Sequence, residues 1–97
     1  MKVRYTARAS ADLHEIYAEI FEHSPPGAQK IRQAIKTTVS VIGQGRRRGQ
    51  DTDAPDVRRV AVPRYRYAVY FRLRNDEAQI LHIRHSSRQS PDPDEFA

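Results

Sequence analysis

Cysteine is absent from this 97-residue chain. That excludes a disulfide framework and a zinc–thiolate centre, and it fits a reducing compartment. Long apolar runs are absent too, and nothing approaches the roughly 18 consecutive apolar residues that a membrane span needs. The opening MKVRYTARAS lacks the apolar stretch of a secretory signal, so we expect a cytoplasmic protein without membrane contact. Glycine is scarce: of four, three fall within residues 43–56. No phosphate-cradling glycine loop, nucleophile elbow or zinc signature is present, and internal repeats and low-complexity tracts are missing. The length allows one domain, residues 1–97, with a modest core.

What the chain has in excess is arginine. Seventeen Lys+Arg against twelve Asp+Glu give a net charge of +5. The distribution is more informative than the sum. Residues 57–88 carry eight arginines against only Asp76 and Glu77, a net +6, whereas the last nine residues carry Asp92, Asp94 and Glu95, a net −3. A basic surface of this density suits an anionic partner, either nucleic acid or an acidic protein segment. An unevenly charged, solvated surface is the alternative reading.

Periodicity sets out the elements. Residues 1–5 read as a short strand with Val3 and Tyr5 on one face. Thr6 then caps a helix whose Ala9, Leu13, Ile16, Tyr17 and Ile20 share one side. Asp12, Glu15, Glu19 and Glu22 form a stripe on its other side, read as solvated. Ser24 caps a second helix with Pro25 at its first position, where a missing N–H costs nothing. Its inner stripe is Ile31, Ile35, Thr38, Val39 and Ile42, with Lys30, Arg32, Gln33, Lys36 and Ser40 outside. Gly43-Gln44-Gly45 stops it, and so short a connection implies an antiparallel helical hairpin. Residues 43–56, including Arg46-Arg47-Arg48, read as a loop.

Three strands follow, near 57–62, 65–74 and 78–85, with a break at Pro63 and a tight turn beginning at Asn75-Asp76. Along the long strand Tyr65, Tyr67, Val69, Phe71 and Leu73 point one way, toward the helices. Arg66, Ala68, Tyr70, Arg72 and Arg74 point the other way and are expected to stay open. On the last strand Leu81, Ile83 and His85 alternate with Ile80, His82 and Arg84. The tail SPDPDEFA, within 89–97, has no period and reads as coil. The fold class is α+β: β-α-α-β-β-β, with a helical hairpin packed on one face of a small, mainly antiparallel sheet.

That order of elements carries specific strings: Ala11-Asp12-Leu13-His14-Glu15-Ile16-Tyr17 in the first helix, Val57-Arg58-Arg59, Tyr65-Arg66-Tyr67-Ala68-Val69-Tyr70, and Ile80-Leu81-His82-Ile83-Arg84-His85-Ser86-Ser87-Arg88. Together they resemble the RelE/ParE superfamily of type II toxin–antitoxin toxins over nearly the whole chain. The resemblance implies one of two activities. RelE-like members are ribosome-dependent messenger RNA endoribonucleases, while ParE-like members are not nucleases and poison DNA gyrase. Both are silenced by an antitoxin, here expected to be acidic and ParD-like or related, in a hetero-oligomer that is commonly two-plus-two. No cofactor and no metal are implied.

The RelE-like pattern asks for two lysines on the first strand after the loop; here Arg58 and Val60 fall at those slots. Arg66 and Arg88 match its arginines. The tyrosine expected beyond the second arginine is missing from Gln89–Ala97. Phosphate binding without a general base is not efficient RNA cleavage. The ending His85-Ser86-Ser87-Arg88 looks more like ParE-like members, which is the branch we favour, as a gyrase inhibitor rather than an enzyme. Arg58, Arg66, Tyr70, Arg72, Arg84 and Arg88 are then the residues expected to meet antitoxin or target. In the nuclease alternative Arg66 and Arg88 would stabilise the cleaved phosphate, with His85 replacing the missing phenol. His82 and His85, three apart on a strand, point to opposite faces and cannot readily share a metal. Tyr5, Tyr17, Tyr65 and Tyr67 read as core residues with their hydroxyls at the rim.

Overall fold

The computed structural model describes residues 1–87, 91 and 93–96. Among them, a hairpin of two helices lies on a five-stranded sheet. Strand β1 is Lys2–Tyr5, and helix α1 follows at once as Ala7–Phe21. Thr6 makes that sharp transition possible. Its backbone is extended, and its Oγ1 accepts the Ala9 N–H at 3.2 Å while donating to the Ile80 carbonyl at 2.8 Å. One hydroxyl thus caps a helix and pins it to the sheet. Helix α2, Pro25–Gly43, begins the same way, with Ser24 Oγ accepting the Gly27 N–H at 3.1 Å ahead of Pro25 and Pro26. At its end Gly43 lies against β1: a Cβ there would run into Val3 Cγ2. The first residue's ammonium donates to the Gly43 carbonyl at 3.0 Å.

The remaining strands are β2 Gln50–Asp51, β3 Val57–Ala61, β4 Tyr67–Arg74 and β5 Glu77–His85, in sheet order β1-β5-β4-β3-β2. β1 runs parallel to β5, and all other pairs are antiparallel. Asn75 and Asp76, at φ 56° and 57°, form the two-residue turn between β4 and β5, a left-handed pair that these two residue types tolerate. The core lies between the layers. Ile35, Val39 and Ile42 of α2 and Ala9 of α1 meet Val60, Val69, Phe71, Ala78, Ile80 and Ile83 of the sheet. Among the described residues no helix is long and apolar enough to cross a membrane.

Four details depart from the sequence reading. The loop 43–56 contributes the two-residue strand β2, whose Gln50 and Asp51 pair with Arg59 and Arg58. The long strand starts at Tyr67, leaving Tyr65 and Arg66 in the preceding turn. The tail, expected as coil, forms a 3₁₀ turn at Pro93–Phe96. Finally, simple alternation fails on β5. Phe71 pairs with Ile80 and Tyr70 with His82, so Leu81 is an extra residue, a β-bulge. Ile80 and Ile83, three apart, therefore both face the helices, while Leu81 packs on the opposite side.

Candidate functional site

The outer face of the sheet, away from the helices, is not open as the alternation implied. Tyr70 is 3% exposed. It sits in a second apolar cluster with Ala54, Val57, Ala68 and Phe96, flanked by Leu81. Phe96, brought back by the C-terminal turn, lies 5.8 Å from the Tyr70 ring and 6.4 Å from His82. The same turn sends Glu95 to Arg84 Nη2 at 3.5 Å, which leaves the Arg84 side chain 16% exposed. Arg72 is half-buried, and its Nε is enclosed with no hydrogen-bond partner among the described residues. The chain's own acidic, aromatic end thus occupies the basic face. The physical reason is simple: β3 and β4 leave Val57, Ala68 and Tyr70 apolar on that side, and Phe96 covers them. Tyr70 is consequently an interior anchor rather than an exposed contact residue. Its cross-strand neighbour is Arg59, while Arg58 stands opposite Phe71.

A second arrangement escaped the sequence reading. β1 stops at Tyr5, opposite Ile80, so the rest of β5 has no strand on that side. Asp12 of α1 takes the vacant place. Although grouped with a solvated stripe by its spacing, it is 8% exposed. Its Oδ2 accepts the Ile83 N–H at 3.0 Å and lies 2.5 Å from Nδ1 of His82, itself 3% exposed. Arg8 Nε approaches Oδ1 at 3.3 Å. Burial pushes the Asp12 carboxyl up, but the hydrogen bonds from His82 and Ile83 and the charges of His82 and Arg8 outweigh it and hold it below its ordinary value. The His82 approach is off the line an N–H donor prefers, so the carboxylate's charge acts alongside the hydrogen bond. Next to this pair, a cavity of about 620 Å³ opens between α1 and the free edge of β5, with Glu19, His23, Tyr67 and His85 on its walls. The Tyr67 phenol is raised by burial and by the Glu19 carboxylate, so it stays protonated near neutral pH. Among the described residues no cluster of three His, Cys, Asp or Glu side chains is placed to hold a metal ion.

The fold and sequence can now be set against known proteins. A family model described as the ParE toxin of the type II toxin–antitoxin system, parDE, matches residues 3–90. The chain belongs to the ParE toxin family. A solved structure described as the chromosomal ParDE toxin–antitoxin system from P. aeruginosa is 31% identical, with a TM-score of 0.80 over 88% of this chain and 95% of that one. No curated protein matches the chain. The ParE family resemblance read from the sequence is thereby confirmed, along with its α+β fold.

Within this ParE-family fold the other nominated residues are scattered. Arg58 is half-buried and spent locally: its Nε donates to the Arg48 carbonyl, its Nη2 to the Gly49 carbonyl at 3.4 Å, and its Nη1 lies 3.3 Å from Asp51. It ties the arginine-rich loop to the sheet edge. Arg66 is exposed in the turn before β4, where its carbonyl accepts the Ser86 N–H at 2.8 Å. His85 is half-buried, edge-on to Tyr67 at 5.2 Å. Its Nδ1 accepts the Ser87 N–H at 3.2 Å, with Ser87 Oγ at 2.6 Å. Val60 is 1% exposed in the core. Arg88 lies outside the described residues. Of the tyrosines, Tyr5, Tyr65 and Tyr67 pack against the core edge, while Tyr17 borders Phe21 and Arg32 on the helical hairpin.

Proposed function

We propose that this ParE-family toxin acts on DNA gyrase without catalysing a reaction, and that a cognate acidic antitoxin neutralises it in the cytoplasm. The observation that supports a non-nuclease is the fate of the residues an RNA-cleaving relative would use. Val60, at a slot where that pattern has lysine, is buried between Val69 and the helices. Arg58, at the other slot, has its guanidinium committed to two carbonyls and Asp51. The one histidine available in place of the missing phenol, His85, has its Nδ1 lone pair occupied by Ser87. A cleavage site needs cations and a base converging on one phosphate; Arg58 and His85 are engaged elsewhere, and Arg66 is the one nominated arginine exposed for that role among the described residues.

Purified chain added to gyrase and relaxed plasmid should block supercoiling or leave cleaved DNA. It should leave messenger RNA intact in a cell-free translation extract, and equimolar antitoxin should restore supercoiling. Messenger cleavage at the ribosomal A site, with supercoiling untouched, would assign the chain to the nuclease branch instead.

A further inference from the structure

Toward the β4–β5 turn, beyond the residues that Phe96 and Glu95 contact, the outer face of the sheet carries a basic patch. Two cross-strand rows build it. Lys2, Glu77 and Arg74 stand side by side on β1, β5 and β4, and Arg4, Gln79 and Arg72 form the adjoining row. Arg72 and Arg74 share the face of Tyr70 because they follow it at steps of two along β4. Strands about 4.8 Å apart and a two-residue step of about 6.8 Å set the four cations in a patch of roughly 10 by 7 Å. Lys2, Arg4 and Arg74 are exposed.

The charges are only partly answered from within. Glu77 is the carboxylate of the two rows, with Asp76 in the adjoining turn. Its Oε1 accepts Arg4 Nε at 2.9 Å and the Gln79 amide at 3.2 Å. That contact uses one of the five donors of a guanidinium and fixes where the others are presented. Arg72 is half-buried, yet its Nε is enclosed without a hydrogen-bond partner among the described residues. Drawing a guanidinium partly out of water costs free energy, and no carboxylate of the described fold offsets it.

We propose that this patch contacts the sugar–phosphate backbone of duplex DNA, with Lys2, Arg4, Arg72 and Arg74 each facing phosphate. The choice of duplex DNA rests on the gyrase reading above; the contact itself does not need the enzyme. A duplex presents one charge per about 1.7 Å of its axis, so a patch of this span meets several phosphates at once. Every side chain in the two rows is polar or charged, which gives an amphipathic protein segment no apolar floor. A single strand would call for exposed rings on which to stack its bases. The rings of this face among the described residues, Tyr70 and Phe96, are both buried.

The test is fluorescence anisotropy of a labelled 20-base-pair duplex titrated with the full chain, without gyrase. With about three phosphates neutralised net, affinity should fall about 40-fold between 50 and 200 mM salt. Arg74→Gln, an exposed position, should weaken binding about three- to tenfold at 50 mM salt and lower the salt slope by about 1. Lys2→Gln should do the same, while Arg46→Gln, in the arginine-rich loop, should change neither. In the supercoiling assay Arg74→Gln should need a higher dose to inhibit. Duplex binding by the wild-type chain with supercoiling untouched would refute the gyrase reading and leave this contact standing. No binding at 50 mM salt, a loss with Arg46→Gln but not with Arg74→Gln, or equal competition by a polyglutamate peptide or a single strand would each overturn the proposal.

Discussion

Replacing Asp12 by alanine removes the group that closes the open edge of β5. The Ile83 N–H loses its acceptor inside the structure, and His82 loses its neighbour at 2.5 Å. Leaving a buried donor unsatisfied costs about 1–3 kcal/mol, and a hydrogen bond to a charged group contributes about 1.5–3 kcal/mol. The two losses share one oxygen and overlap, so a total near 3 kcal/mol is expected. For a domain of this size that lowers the thermal midpoint by roughly 12–24 °C. Arg8→Ala should cost no more than about 1 kcal/mol, because that arginine's side chain is 61% exposed. Asp12→Asn keeps one acceptor for Ile83 and should fall between.

The acid dependence follows from the lowered carboxyl. A group ionised more readily in the folded state adds stability above its unfolded value, here the ordinary 3.8, and that stability fades as pH falls through the folded value. The wild-type chain should therefore lose more stability on acidification below about pH 4 than Asp12→Asn does. Urea titrations followed by circular dichroism supply both readings, provided the slope stays constant. If Asp12→Ala unfolds within about 0.5 kcal/mol of wild type, or Arg8→Ala matches its loss, the edge-closing account is wrong.

Three further outcomes follow from the geometry. Phe96→Ala uncovers Tyr70 and His82 and should cost about 2–3 kcal/mol, below the range of about 3–5 kcal/mol for phenylalanine deep in a core; an unchanged thermal midpoint would mean the tail does not hold the outer face in solution. Thr6→Val keeps the shape but loses both the α1 cap and the bond to Ile80, and should destabilise by about 1–2 kcal/mol in chemical denaturation, more than Ser24→Ala, which loses a cap alone. Arg58→Ala should leave global stability within about 1 kcal/mol, yet speed hydrogen exchange of the Gly49–Asp51 amides, because it releases two loop carbonyls.

Much of the scaffold could be read from local pattern. Thr6, Ser24 and Pro25 mark both helix starts because capping is a contact of three or four residues' range. Ile35, Val39 and Ile42 recur at helical spacing and do form the inner stripe. Interaction sites were less legible, for reasons of range. Asp12 shares its spacing with Glu15 and Glu19, and only the early end of β1, some seventy residues from its partner strand, draws it inward. The bulge at Leu81 inserts one residue into β5 and reverses the parity on which the placement of Ile80 relied. Phe96 has no periodic neighbours, and its burial depends on an apolar patch assembled from Ala54, Val57, Ala68 and Tyr70.

The edge position of β1 also bears on how the molecule comes into being. Lys2 through Tyr5 find their hydrogen-bonding partners only in Glu77 through Ile80, whereas the helical hairpin closes within the first half of the chain. During synthesis the hairpin can form early, but the first strand must wait until β5 has emerged. A nascent chain stalled before β5 is therefore left with an unfinished sheet and an uncovered α1. The sheet of the toxin is complete only once β5 has joined it, so a product truncated before β5 lacks the strand that holds β1.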